Sequence, residues 1–170
     1  AEKKEDITPE QSDIPATNFH ITDDELGQGT PKEKFRANIM AIQLLKKCEE
    51  ENRNATPDEQ EILSRYVGWG GLADAFDETK SAWETEYLEL KTVLTPEEYA
   101  AARASTLNAH YTQPIVIESM YQALENLGFT KGNILEPSMG VGNFFGMLPE
   151  NLNQSKLYGV ELDSISGRIA

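Results

Sequence analysis

The chain has few reactive groups and few basic ones. Its 170 residues include one cysteine, Cys48, which excludes an internal disulfide framework and a multi-thiolate metal site. The two histidines, His20 and His110, stand 90 residues apart with no His or Cys partner at metal-ligand spacing, so no metal site is expected. Lys and Arg number 15 against 29 Asp and Glu, a formal charge of −14. That balance argues against a chain that grips a nucleic-acid backbone unaided, because phosphate contacts need clustered bases. No apolar run approaches the roughly 18 residues of a membrane span, and the first twenty residues lack a signal-peptide core. A soluble, cytoplasmic chain is expected. None of the eight prolines adjoins another, and no Gly-Lys-Ser or Gly-Lys-Thr occurs, so a P-loop nucleotide site is out.

The length suits one domain, or one domain with a tail. Residues 1–30 carry 8 acids and 2 bases. The opening stretch to about Ala16 is nearly free of large apolar groups and cannot offset its ordering entropy. Residues 1–17 therefore read as a flexible acidic arm, a solvating tail more than a binding one.

Three later segments open alike: Thr30-Pro31-Lys32-Glu33, Thr56-Pro57-Asp58-Glu59 and Thr95-Pro96-Glu97-Glu98. In each, Thr caps, Pro fits the first helical position, and Glu reaches back to the cap amide. Phe35, Ile39, Ile42 and Leu45 mark one face of the first helix. Ile62, Leu63, Tyr66 and Val67 mark a second that stops at Gly68-Trp69-Gly70-Gly71. Trp83, Tyr87, Leu90 and Leu94 mark a third, and a fourth runs from Pro96 to about Arg103. Residues 18–108 thus read as a helical subdomain.

The pattern changes over 109–170. Pro114 opens a helix with Ile117, Met120, Leu124 and Leu127 on one face, closed by Gly128. Asn133–Glu136 reads as a strand, followed by a glycine loop and a short helix ended by Pro149. Leu157–Leu162 reads as a second strand, and Asp163 caps another helix. This is the opening of a doubly wound α/β sheet. Two parallel strands are too few for a domain, so more of the sheet is expected after Ala170, and their open edges predict self-association.

The loop Glu136-Pro137-Ser138-Met139-Gly140-Val141-Gly142-Asn143-Phe144 is the most informative stretch. Its glycines beside a helix start let backbone amides approach a ligand. Glu161 lies 19 residues beyond Gly142, at the carboxyl end of the second strand, placed to accept the hydroxyls of a ribose. A dinucleotide fingerprint would want a third glycine where Phe145 stands. A nucleoside without a pyrophosphate fits better, and S-adenosyl-L-methionine is the common one. The bland alternative is an ordinary strand-to-helix turn.

Leu135–Phe144 resembles the cofactor loop of adenine-specific (N-6) DNA methyltransferases, whose form is Asp/Glu-Pro-x-x-Gly-x-Gly-x-Phe. Tyr158–Asp163 resembles their second-strand motif, and His110-Tyr111-Thr112-Gln113-Pro114 resembles the Tyr/Phe-Thr-x-Pro element that precedes the loop. Upstream, Lys34–Ile39 and Arg65–Leu72 look like the helical region before the methylase domain of large bacterial mobile-element proteins, many with a helicase. The resemblance spans roughly 18–170. It implies a helical subdomain followed by the first half of a Rossmann-like methyltransferase fold that binds S-adenosyl-L-methionine. Glu136 would then lie near the methionine amino group, Pro137 would be a cofactor-binding residue of the same loop, and Gly140 and Gly142 would admit the cofactor. Phe144 would support the loop, Glu161 would hold the ribose, and Tyr111, Thr112 and Pro114 would line the methionine end. Phe144 and Tyr111 also read as packing residues. Trp69 reads as a core side chain, or with Asn38 as a roof of the pocket.

Methylation of adenine needs an Asn/Asp-Pro-Pro-aromatic element on the fourth strand to hold the flipped base, and this sequence has none. No catalytic residue is assigned, and DNA contact would fall to domains beyond this segment, with a helicase in the same polypeptide. The resemblance therefore implies a cofactor-binding fragment, inactive alone. The rivals are a non-catalytic methylase-like module that helps a helicase or antirestriction protein assemble, and a methyltransferase acting on RNA or protein.

Overall fold

The computed structural model describes residues 17–22, 26–109 and 111–170. The arm expected at the start of the chain thus lies, but for Thr17, outside the described residues, as does His110. Helix α1 spans Pro31–Glu50, α2 Pro57–Ser64, α3 Glu84–Val93 and α4 Pro96–Ser105, with 3-10 turns at Ala73–Phe76 and Ser81–Trp83. Helices α1, α2 and α4 begin at the three Thr-Pro signals, each with a complete capping box. In the first, the Glu33 amide donates to Thr30 Oγ1 at 3.3 Å while Glu33 Oε2 accepts from the Thr30 amide at 2.7 Å. Two otherwise orphaned donors are satisfied at each helix start.

Helix α2 ends at Ser64, three residues earlier than its apolar spacing predicts. Asn38, fully buried on α1, accepts from the Val67 amide at 2.9 Å and donates to the Gly68 carbonyl at 2.6 Å. Those bonds hold the chain out of the helix, so Tyr66 enters the core from an irregular segment and Val67 stays partly buried beside it. Trp83 likewise precedes α3, in a 3-10 turn, with Lys32 Nζ 4.1 Å from its ring centroid. The core of this region gathers Phe35, Ile39, Ile42, Tyr66, Trp69, Leu72, Phe76 and Leu90. Cys48, on α1, is buried, and burial pushes its thiol up.

The remaining chain forms α5 (Pro114–Asn126), β1 (Asn133–Glu136), α6 (Asn143–Gly146), a 3-10 turn at Glu150–Leu152, β2 (Lys156–Gly159) and α7 (Ser164–Ile169). The strands pair in parallel, Asn133 opposite Lys156 and Glu136 opposite Gly159. β2 is shorter than expected because β1 offers only four residues to pair with. The Val160 amide still donates to the Glu136 carbonyl at 3.0 Å. On α5 the buried stripe is Pro114, Ile117 and Tyr121. Met120, Leu124 and Leu127, expected on the buried face, are exposed. The helix packs toward Phe144 and Leu152, a contact only wide enough for that stripe.

Helix α7 joins the two regions. Ile165 is buried in the helical core, and Arg168 reaches Glu49 on α1 and Glu98 on α4. Glu49 at the end of α1 is thereby ion-paired, and Glu51 just beyond it pairs with Arg53. Among the described residues no helix is long and apolar enough to cross a membrane.

These ion pairs set a pH dependence. Arg53, and then the Thr56 amide, hold the Glu59 carboxyl down at about 2. Burial raises Glu98, but Lys46, Arg168 and the Thr95 amide outweigh it and bring that carboxyl to about 2. Both folded values lie below the ordinary 4.5. Their stabilisation is therefore complete above 4.5 and is lost as pH falls toward 2. Urea midpoints measured from pH 7 to pH 2 are expected to hold steady above about pH 5 and decline below it. A midpoint constant down to pH 3 would contradict these assignments.

Candidate functional site

Parallel strands bring their carboxyl ends to one edge, where open α/β sheets place ligands. Glu136 ends β1 there, and Glu161 follows β2 by two residues. The loop between β1 and α6 turns back on itself through two glycines in the left-handed region, Gly140 at φ 58° and Gly142 at φ 84°. It is tied to the β2 side by the Met139 amide, which donates to the Val160 carbonyl at 3.0 Å. Glu161 is the organising side chain. Its Oε2 accepts from the Gly140 amide at 2.7 Å, and its Oε1 accepts from the Asp163 amide at 2.8 Å. Asp163 in turn caps α7, accepting from the Ser166 amide at 2.8 Å and the Ser166 hydroxyl at 2.6 Å. Glu136 Oε1 accepts a longer bond, 3.3 Å, from the Ser138 amide.

These groups line a cleft of about 530 Å³, within the range of small-molecule sites. On the strand side it is bounded by Glu136, Ser138, Gly140, Phe144, Glu161 and Asp163. On the helical side it is bounded by Tyr66, Gly68, Ala101, Ala104 and Ser105, with Tyr111 and Thr112 between. Three carboxylates line it, and no Lys or Arg does among the described residues.

Tyr111 is the hinge between the two walls. A Cβ added at Gly68 would lie 2.9 Å from its ring, and one added at Gly140 3.1 Å from the other edge. Only glycine on both sides lets the ring pass between the helical turn and the loop. Its hydroxyl lies 3.4 Å from Ser166 Oγ, and burial pushes it up to about 12. The phenol is therefore neutral at physiological pH, a donor and not a base.

Of the sequence-derived candidates, Tyr111, Thr112, Glu136, Gly140, Phe144 and Glu161 come together around this cleft. Phe144 also packs edge-on against Tyr121, ring centroids 6.4 Å apart, and its carbonyl accepts from the Tyr121 hydroxyl at 2.6 Å. Pro114 lines a neighbouring cleft of about 570 Å³ that shares Tyr66, Tyr111 and Thr112. Gly142 lines a third, of about 620 Å³, with Leu45, Arg53 and Arg168. Pro137 is exposed. Trp69 and Asn38 sit in the helical core and do not border the Glu161 cleft.

Sequence reasoning missed Asn143 and Tyr66. Asn143 borders all three clefts, and its Oδ1 is buried with no partner among the described residues. Its position directly after Gly142, opening α6, was the available signal. Tyr66 is 1% exposed, and its hydroxyl, beside Ser166 and Trp69, meets no hydrogen-bond geometry among the described residues. Burial drives that phenol far up. Nothing in its helical spacing marked it as more than core. No group of three or more His, Cys, Asp or Glu able to hold a metal occurs among the described residues.

Compared with protein-family models, curated proteins and solved structures, the chain has no significant match.

Proposed function

We propose that this chain is the S-adenosyl-L-methionine-binding part of a Rossmann-like DNA adenine methyltransferase. The reading is carried by Glu161, a carboxylate at the strand edge that fixes a glycine-loop amide and lines the cleft. Each of its oxygens receives one backbone N–H and keeps a second lone pair, which suits it to accept ribose hydroxyls. The charge of the cleft supports the same class of ligand. Three carboxylates without a base repel phosphates, which disfavours dinucleotides and nucleoside triphosphates, and attract a sulfonium and an ammonium. When bound, S-adenosyl-L-methionine supplies an activated methyl group. Glu161 would hold its ribose and Glu136 its amino group, with Tyr111 and Thr112 closing the wall between the two regions. Base gripping falls outside these residues, since the sequence has no Asn/Asp-Pro-Pro-aromatic element. Cofactor binding without methylation is therefore expected of the chain alone.

Calorimetric titration with S-adenosylhomocysteine tests this. The wild type is expected to bind it and to ignore NAD and ATP, and Glu161→Ala is expected to weaken binding at least about tenfold. Unchanged affinity in Glu161→Ala, or equal affinity for NAD, would refute the reading. A second reading, a non-catalytic assembly module, is favoured by one observation. Leu135 and Tyr158, paired in register, are exposed on the sheet, and Met120, Leu124 and Leu127 are exposed on α5. A wild type that binds no nucleoside would turn the argument to that face.

A further inference from the structure

The residues that shape the Glu161 cleft are tied in series to the helical region through α7. The Gly140 amide is held by Glu161, Glu161 by the Asp163 amide, and Asp163 by the first turn of α7. Helix α7 has only six residues, too few to hold a fixed orientation by its own hydrogen bonds. Its position must come from outside. Ile165 is buried in the helical core and Ile169 packs partly buried against it, but apolar contacts are non-directional and leave a short helix free to turn. Arg168 removes that freedom. Its Nε and Nη2 donate to the two oxygens of Glu49 at 2.7 and 2.8 Å, and its Nη1 donates to Glu98 Oε1 at 2.9 Å. A planar guanidinium gripped in this way fixes direction as well as distance. The far end is anchored too: Glu98 Oε2 accepts from Lys46 Nζ at 2.7 Å, and that ammonium also donates to the Val93 carbonyl at 2.6 Å. Helices α1 and α4, and the last turn of α3, thus converge on one arginine five residues past Asp163.

We propose that Arg168 is the positioning residue through which the helical region sets the affinity of the Glu161 cleft for its nucleoside. The proposal rests on the cofactor reading above and adds the means by which the helical region controls that site. Arg168 does not border the cleft, so it acts by holding α7, and with it Asp163 and Glu161, in register with the glycine loop. The Glu49 pair is partly exposed, with Arg168 and Glu49 side chains at 33% and 43%, and such a pair adds little to global stability; Glu98, 10% exposed, keeps Lys46 as its partner when Arg168 is lost. The effect of the Arg168 pairs therefore falls on the local orientation of α7.

The test is S-adenosylhomocysteine affinity of the full chain in four variants, with urea midpoints measured alongside. Arg168→Ala is expected to bind about fivefold more weakly, within the range of mutations that modulate coupling from outside a site, with a nearly unchanged midpoint. Arg168→Lys, which keeps the charge and loses the fork, should fall between it and the wild type. Glu49→Gln, which removes the charged partner of two of the three guanidinium bonds from a residue that does not border the cleft, should weaken binding by a similar factor with a nearly unchanged midpoint. High salt should weaken the wild type more than it weakens Arg168→Ala, since screening of the acidic cleft acts on both and screening of the Arg168 pairs only on the first. If Glu161→Ala loses affinity while Arg168→Ala and Arg168→Lys bind as the wild type does, the positioning role is wrong and the site stands. A Glu49→Gln protein that binds as the wild type does also overturns it. A wild type that binds no S-adenosylhomocysteine overturns both.

Discussion

Gly70→Ala is expected to cost more than about 3 kcal/mol of stability, the upper end for an overpacking change. A Cβ at Gly70 would lie 1.8 Å from the carbonyl oxygen of Ala109 and 3.0 Å from its carbonyl carbon. The obstacle is backbone, so no rotamer change relieves it. Relief requires the Gly68–Gly71 turn and the segment before Tyr111 to part, in a place where the Gly71 amide donates to the Thr106 carbonyl. Parting them also lifts Tyr111 from Gly68 and Gly140, so the damage reaches the cleft. Gly71→Ala is the control. Its φ of 74° strains any side chain, but a Cβ there meets nothing within 4 Å, so its cost is the left-handed conformation alone, about 1 kcal/mol. Urea unfolding of the two variants decides the matter. Equal losses would mean that the close approach at Ala109 does not constrain the fold.

That contrast also shows what the sequence made readable. The Gly68-Trp69-Gly70-Gly71 run marked a tight turn, but no property of the run names Ala109 as the backbone it touches. Local rules worked where local forces decide. Thr30, Thr56 and Thr95 each announce a helix because cap, proline and glutamate act within four residues. The glycine loop and Glu161 were legible for the same reason, since strand ends and left-handed turns have their own residue signatures. Local rules failed where a distant partner wins. Tyr66 and Val67 keep helical spacing, and Asn38, nearly thirty residues earlier, takes the Val67 amide and the Gly68 carbonyl away from the helix. Met120 and Leu124 keep the α5 stripe, yet Tyr121 is the residue that meets Phe144. Arg168 bonds residues 119 and 70 positions away, and nothing in the sequence near it predicts either.

Trp69→Ala is expected to lose about 3–5 kcal/mol, the usual range for deleting a large buried aromatic. The sequence left two roles for this residue, a core plug or a roof over the cofactor. Its surroundings favour the first. Trp69 is 1% exposed and sits at the centre of three edge-to-face contacts, with ring centroids 6.1 Å to Phe35, 6.4 Å to Tyr66 and 5.3 Å to Phe76. Those partners come from α1, the turn after α2 and the 3-10 turn at Ala73–Phe76, so the indole is what the three share. Deleting it removes transfer free energy and leaves a cavity between elements that have no other common contact of that size. Trp69→Phe separates the ring from its N–H. The indole nitrogen has no hydrogen-bond partner among the described residues, so phenylalanine forfeits area but no bond and should lose less than half as much. Urea midpoints of the two variants, read beside S-adenosylhomocysteine affinity at a concentration of denaturant where both remain folded, distinguish the roles. A core residue moves stability first and affinity only through it. A Trp69→Phe protein that folds as well as the wild type but no longer binds would instead place the indole N–H on the ligand.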